Sequence, residues 1–329
     1  MLVSLQRRIA LLLLFFFVVN SSIAQERKIK FDDGTSMSFE MLKQDPTKPI
    51  PFYIGIDLAG YYLPSVGINA TYGLQGFYFI NPDISIAGKA GFGLSTLGIL
   101  PEVFDVENDF YFTNMELGGY YSFAKSVKEK KAKLNLKSVS TGYKQTTNYV
   151  MDIKEPRQRS WEAYLGLGSF NLPGGSNYNN EDLQAQGIEG ISSLSIVGQS
   201  ITTLEVGIST RSFTRNVFLL DGRVKGQSYY DRWTAKLMLP VVSSVMVEEE
   251  VDDFIYEVKE DVDYFDNQRS TLGFGIFYQT IINSATTSLN LLSGYSLGLA
   301  MYPFVESTPF ISFGYTLGFG LNDPKQLID

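Results

Sequence analysis

The stretch PFISFGYTLGFGLN, residues 309 to 322, alternates at every position from Ile311. Ile311, Phe313, Tyr315, Leu317, Phe319 and Leu321 are large and apolar, while Ser312, Gly314, Thr316, Gly318, Gly320 and Asn322 are small or polar. Period-two alternation is the mark of a β-strand, because successive side chains point to opposite faces. A strand on the surface of a soluble sandwich would carry Lys, Glu or Arg on its outer face. Here the second face is glycine and hydroxyl, so bulk on one side meets almost nothing on the other.

The same pattern recurs in ten segments: 52–63, 66–80, 84–96, 110–123, 159–170, 201–213, 228–247, 271–282, 288–301 and 309–322. Each is long enough to cross a bilayer as a tilted strand, which takes about 9 to 11 residues. The central parts of the apolar faces hold no Lys, Arg, Asp or Glu, whereas Asp57, Lys89, Glu116, Glu205, Arg211 and Lys236 fall on the opposite faces. Apolar-out and polar-in is the inverted pattern of a membrane barrel. The expected fold is therefore an all-β, transmembrane, antiparallel up-and-down β-barrel of about 10 strands, with 12 as the alternative. Tyr61-Tyr62, Tyr78-Phe79, Phe110-Tyr111 and Tyr120-Tyr121 lie near strand ends and are expected to form interfacial girdles.

The amino-terminal 25 residues fit this reading. Arg7 and Arg8 precede an unbroken apolar run from Ile9 to Val19, and Ser22-Ile23-Ala24 supplies small residues at a cleavage junction. The run is too short to span a bilayer as a helix. A signal peptide over 1–24, cut after Ala24, is expected, with a periplasmic arm over 25–51, the barrel over 52–322 and a polar tail over 323–329. The mature chain would carry a net charge of −10 from 25 basic and 35 acidic residues, which argues against nucleic-acid partners. No later stretch approaches 20 consecutive apolar residues, so no membrane helix is expected.

The chain contains no cysteine and no histidine. The first absence excludes disulfides and thiolate chemistry, and the second removes the commonest general base and metal ligand near neutral pH. The chain is not expected to be an enzyme, and no cofactor is expected.

Strand-starting polarity sets the loops. With both termini on the periplasmic side, the short turns lie there and the longer loops outside. Asn81-Pro82-Asp83 is one such turn. The connection 124–158 is too long for a turn and is expected to be a periplasmic hairpin or two further strands. It includes Lys125, Lys128, Lys130, Lys131, Lys133 and Lys137, read as a solvated basic segment. The region 248–269 is expected to be an acidic outer loop. Glu248, Glu249, Glu250, Asp252, Asp253, Asp261 and Asp263 are seven of the ten carboxylates between 248 and 266. Clustered hard oxygens make divalent cations candidate partners there, bridging to lipopolysaccharide, although the spacing matches no EF-hand. The six inward charges are read as a lumen network. A barrel of about eight strands holds only side chains, while an open channel appears at about sixteen, and Phe77, Phe79 and Phe277 would take further room.

The cleavage junction SIAQ, the segment LEVGISTRSFTRNVFLLDG at 204–222, and the closing FGYTLGFGLN together resemble the small outer-membrane β-barrel proteins of the Bacteroidetes type. The resemblance implies an outer-membrane location in a Gram-negative cell envelope and no firm activity. The expected role is structural or interactive, with a lumen mostly filled by side chains. Outer-membrane lipid, lipopolysaccharide and other envelope proteins are its expected partners. The competing reading is a narrow porin or small-solute channel.

Overall fold

The computed structural model describes residues 39–47, 52–63, 67–93, 112–140, 146–173, 177–179, 193–220, 223–251, 254–260, 272–283, 290–303 and 309–321. Among them are thirteen strands: β1 Phe39–Gln44, β2 Phe52–Leu63, β3 Gly67–Phe79, β4 Ile84–Gly93, β5 Thr113–Ser140, β6 Thr146–Pro173, β7 Asn177–Asn179, β8 Ser193–Leu220, β9 Arg223–Val251, β10 Phe254–Glu260, β11 Gly273–Asn283, β12 Asn290–Met301 and β13 Pro309–Leu321. Ten of these overlap the ten segments expected from alternation.

Those ten close into a barrel. The hydrogen-bonded order is β8-β6-β5-β4-β3-β2-β13-β12-β11-β9, and a β8–β9 ladder joins its ends. The first and last barrel strands meet in antiparallel register, Phe52 opposite Leu321 and Tyr62 opposite Ile311. Sequential neighbours pair all the way round, which is the up-and-down topology. Closure leaves the barrel wall without a free sheet edge, the condition for a sheet to sit in hydrocarbon.

The outer surface carries the apolar set. Ile56, Leu117, Leu165, Ile208, Ile276 and Leu297 are each more than half exposed. Glycine on this face seats aromatic rings as well: a Cβ on Gly60 would lie 2.1 Å from the ring of Phe313, its cross-strand partner. In water such a surface would be strongly unfavourable. In lipid it is the matching solvent, so the molecule is a membrane β-barrel. Among the described residues no helix is long and apolar enough to cross a membrane.

Four expectations need restating. The paired aromatics are not all interfacial: Tyr61, Phe79 and Tyr120 are buried inside the barrel, while Tyr78 and Tyr121 are exposed. Adjacent strand residues must point to opposite faces, so each doublet gives one ring to the lumen and one to the exterior. Phe110 and Tyr111 lie outside the described residues.

The long connection 124–158 is no turn and adds no barrel strand. β5 and β6 simply continue, to Ser140 and from Thr146, as a hairpin. Lys130–Glu155 clusters as a compact unit separate from the barrel unit of Phe39–Glu129 and Pro156–Asp329. Lys125, Lys128, Lys130, Lys131 and Lys133 are exposed, and Lys137 also lies in β5. Lys125 pairs with Asp83.

The acidic region is also strand where it is described. Glu248, Glu249 and Glu250 belong to β9 and pair with Glu257, Tyr256 and Ile255 of β10. Hairpin pairing satisfies the backbone there without needing alternation, so the sequence pattern gave no sign of it. Asp252, Asp253, Asp261 and Asp263 lie outside the described residues.

The amino-terminal arm contributes β1, which pairs with β8 from Phe39 opposite Leu220 to Gln44 opposite Asn216. It takes the edge that β8 presents beyond Phe213, where its described ladder with β6 ends. The turn at Asn81 forms as expected: its Oδ1 accepts hydrogen bonds from the backbone N–H groups of Asp83 and Ile84, at 2.8 and 2.9 Å.

Candidate functional site: the lumen

The inward faces build three layers. At the end where β2 begins and β13 finishes, Tyr53, Phe77, Phe79, Phe213, Tyr230 and Ile281 pack with Leu292. At the other end a second cluster includes Tyr61, Phe112, Phe170, Ile201, Tyr302 and Phe310. Rings meet at aromatic contact distances in both, 5.1 Å for Phe77 with Tyr230 and 4.2 Å for Phe170 with Tyr302. Charged and polar side chains fill the level between.

All six expected lumen charges are there. They fall into three groups, and two residues absent from the expected set, Glu162 and Arg232, complete them. In the first, Lys89 Nζ lies 2.8 Å from Asp57 Oδ2, and Thr316 Oγ1 donates to Asp57 Oδ1 at 2.9 Å. Gln75 Nε2 donates to Thr316 Oγ1 in turn. In the second, Lys236 Nζ lies 3.0 Å from Glu205 Oε2 and also bonds Glu116 Oε1. The Tyr164 hydroxyl sits between the two carboxylates, 3.0 Å from Glu116 Oε1 and 2.8 Å from Glu205 Oε2. In the third, Glu162 holds two arginines, with Arg211 Nε 3.2 Å from Oε1 and Arg232 Nε 3.1 Å from Oε2.

The third group is the driest. Glu162, Arg211 and Arg232 are each at most 2% exposed. Arg232 lies over the Tyr120 ring at 3.6 Å and Arg211 over Phe79 at 4.9 Å. Arg211 Nη2 donates to the carbonyl of Pro82 at 3.1 Å, and Arg232 Nη2 donates to Ser85 Oγ at 3.0 Å. Burying charges without partners would cost several kcal/mol per ion, and pairing offsets that cost.

Together the groups hold four carboxylates and four cations. The first group is neutral, the second carries one net negative charge and the third one net positive. Among the described residues there is no cluster of carboxylates suited to a metal ion.

Lumen glycines make room for this layer. A Cβ on Gly118 or on Gly166 would lie 2.3 Å from Tyr164. The ring that bridges Glu116 and Glu205 therefore occupies space that a side chain at either glycine would take. A cavity of about 110 Å³ remains beside the charges, with Lys89, Glu116, Gln75, Gln279, Ser296 and Asn114 among its lining.

Glu162 and Arg232 sit at the same parity as Tyr164 and Lys236 on β6 and β9. Strand parity alone could have found them, since both oppose apolar neighbours, Trp161 and Trp233, that are about half exposed.

No protein-family model matches the chain, and no curated protein does. Among solved structures it is similar to the CymD monoaromatic hydrocarbon channel, at 11% identity over 82% of this chain and 88% of that one, with a TM-score of 0.23. It is similar to the Pseudomonas putida toluene transporter TodX at 8% identity, 85% and 92% coverage and a TM-score of 0.22. Outer-membrane expressed OmpT of Vibrio cholerae follows at 9% identity, 85% and 100% coverage and a TM-score of 0.17. Similarity of this order says nothing of what the barrel does.

Proposed function

We propose that this chain is an outer-membrane β-barrel with a structural or interaction role, its lumen closed by its own side chains. The observation that carries the reading is the pairing of all eight charges in the middle layer, between two aromatic layers. A conducting path needs charges turned toward mobile water. Here most of them are turned toward each other and buried. Ten strands also stand near the filled end of the size range, where about eight leave room only for side chains. With neither cysteine nor histidine in the sequence, the role is read as non-enzymatic.

In this reading residues 1–24 direct export and are removed after Ala24. The contact elements are the β5–β6 and β9–β10 hairpins. Lipopolysaccharide and other envelope proteins are the proposed partners of these hairpins, with divalent cations as bridges at the acidic one.

The test is single-channel recording of the refolded chain in a planar bilayer, with folding checked by circular dichroism. Folded protein without stepwise conductance is the expected result. Stable steps would overturn the closed reading in favour of a narrow porin, and neutralising Lys89 or Arg211 would then change its ion selectivity.

A further inference from the structure

The lumen charges are not equally exposed. Glu162, Glu205, Arg211, Arg232, Lys236 and Asp57 have at most 3% of their side-chain surface exposed. Lys89 keeps 19% and Glu116 keeps 24%. These two stand directly opposite each other on β4 and β5 and both line the central cavity. Directly opposed strand residues have Cβ atoms only about 4.5–5.5 Å apart, yet the two side chains do not bond. Lys89 reaches back to Asp57, and Glu116 reaches across to Lys236. The hydrogen bonds that Glu116 accepts from Lys236 and Tyr164 both fall on Oε1. The Lys89 ammonium has three donors, and Asp57 and the Tyr61 hydroxyl engage two of them, which leaves one for the cavity.

We propose that the central cavity binds a small zwitterion of the amino-acid class, its ammonium on Glu116 and its carboxylate on Lys89. Net charge decides the class. The middle layer is already balanced, four against four, so a simple anion or cation would bring an uncompensated charge into a largely desolvated space. A zwitterion brings none and meets one spare group of each sign. The cavity of about 110 Å³ is several times the roughly 10–15 Å³ that one water needs by the same measure, so it has room for a small solute such as glycine or alanine. Ser296, Asn114, Gln75 and Gln279 supply neutral polar surface around it. Binding of this kind does not depend on whether the barrel conducts.

The experiment uses the full chain refolded in detergent, with glycine as the probe and acetate and methylammonium as half-molecule controls. Urea unfolding midpoints and titration calorimetry are the readouts. Glycine is expected to raise the midpoint, and neither control to do so at the same concentration. Glu116→Gln and Lys89→Met should each weaken glycine at least ~10-fold. Ser296→Leu, which fills the cavity and leaves both charges, should abolish binding in a barrel that still migrates as folded on unheated gels. This variant keeps the test decisive if a charge variant fails to fold. The proposal is overturned if glycine gives no shift, if acetate alone shifts the midpoint as far, or if Ser296→Leu binds glycine as tightly as the parent. Silent or stepwise conductance leaves these readouts unchanged, so failure of the closed-lumen reading and failure of the binding site are told apart.

Discussion

Removing Glu162 tests whether the lumen is dry. Its two oxygens hold Arg211 and Arg232 at 3.2 and 3.1 Å, and all three side chains are almost wholly buried. Glu162→Ala would leave two guanidinium groups facing each other without a counter-charge. Breaking one buried pair by deleting a partner costs about 3–5 kcal/mol. A denaturant slope of ~3 kcal/mol per molar urea, the upper part of the usual range, turns this into a midpoint shift of roughly 1 to 1.7 M. The assay is equilibrium unfolding followed by tryptophan fluorescence. Trp161 and Trp233 neighbour Glu162 and Arg232 in sequence and face outward, about half exposed, so they report loss of the lipid-facing wall at that level. Replacing the triad together, Glu162→Leu with Arg211→Met and Arg232→Met, should restore most of the loss, because apolar packing can substitute for a buried ion triad. A Glu162→Ala cost below ~1 kcal/mol, the range of solvent-exposed pairs, would refute the reasoning: water would then be solvating both arginines, and the closed-lumen proposal would fall with it.

Three further outcomes are expected. Leu165→Arg on the lipid face, at a residue 60% exposed, should destabilise the barrel by ~2–4 kcal/mol if it lies at the bilayer midplane, read by urea titration in vesicles. Gly118→Val would overlap the Tyr164 ring, which already lies 2.3 Å from an added Cβ, and should cost ~1–3 kcal/mol by overpacking; a double variant with Tyr164→Ala should be less destabilised than the two single effects added. Deleting Lys130–Glu155, which belongs to a compact unit distinct from the barrel, should leave heat-modifiable gel migration intact.

Alternation was legible wherever lipid and a packed lumen press on the two faces of one strand. That is why the ten segments could be located from sequence, and why Asp57, Lys89, Glu116, Glu205, Arg211 and Lys236 could be assigned inward. The signal fades where both faces of a strand meet water. β5 beyond Phe123 runs AKSVKEKKAK with every residue but Ala132 exposed, and nothing in such a stretch separates a strand from a turn. The acidic part of β9 is equally unpatterned, and its partner β10 could be found only from the backbone ladder. The aromatic doublets misled for a different reason. Proximity to a strand end suggested an interface, whereas parity, the stricter rule, sends one ring of each pair inward. Which carboxylate takes which cation was not legible at all: Lys236 and Glu116 lie 120 residues apart, and their meeting follows from barrel closure.

The docking of β1 has a consequence for assembly order. β1 pairs with β8, while β2, the next strand in the chain, closes the barrel against β13. In the ring of ten, β2 and β8 are five strands apart by either route, so the short connection from Gln44 to Phe52 joins opposite walls. The amino-terminal strand can find its partner only after more than half of the chain has been delivered, and contacts so distant in sequence form slowly. The first of the described strands to arrive is thus among the last to be seated, and its link to β2 couples the two halves of the ring.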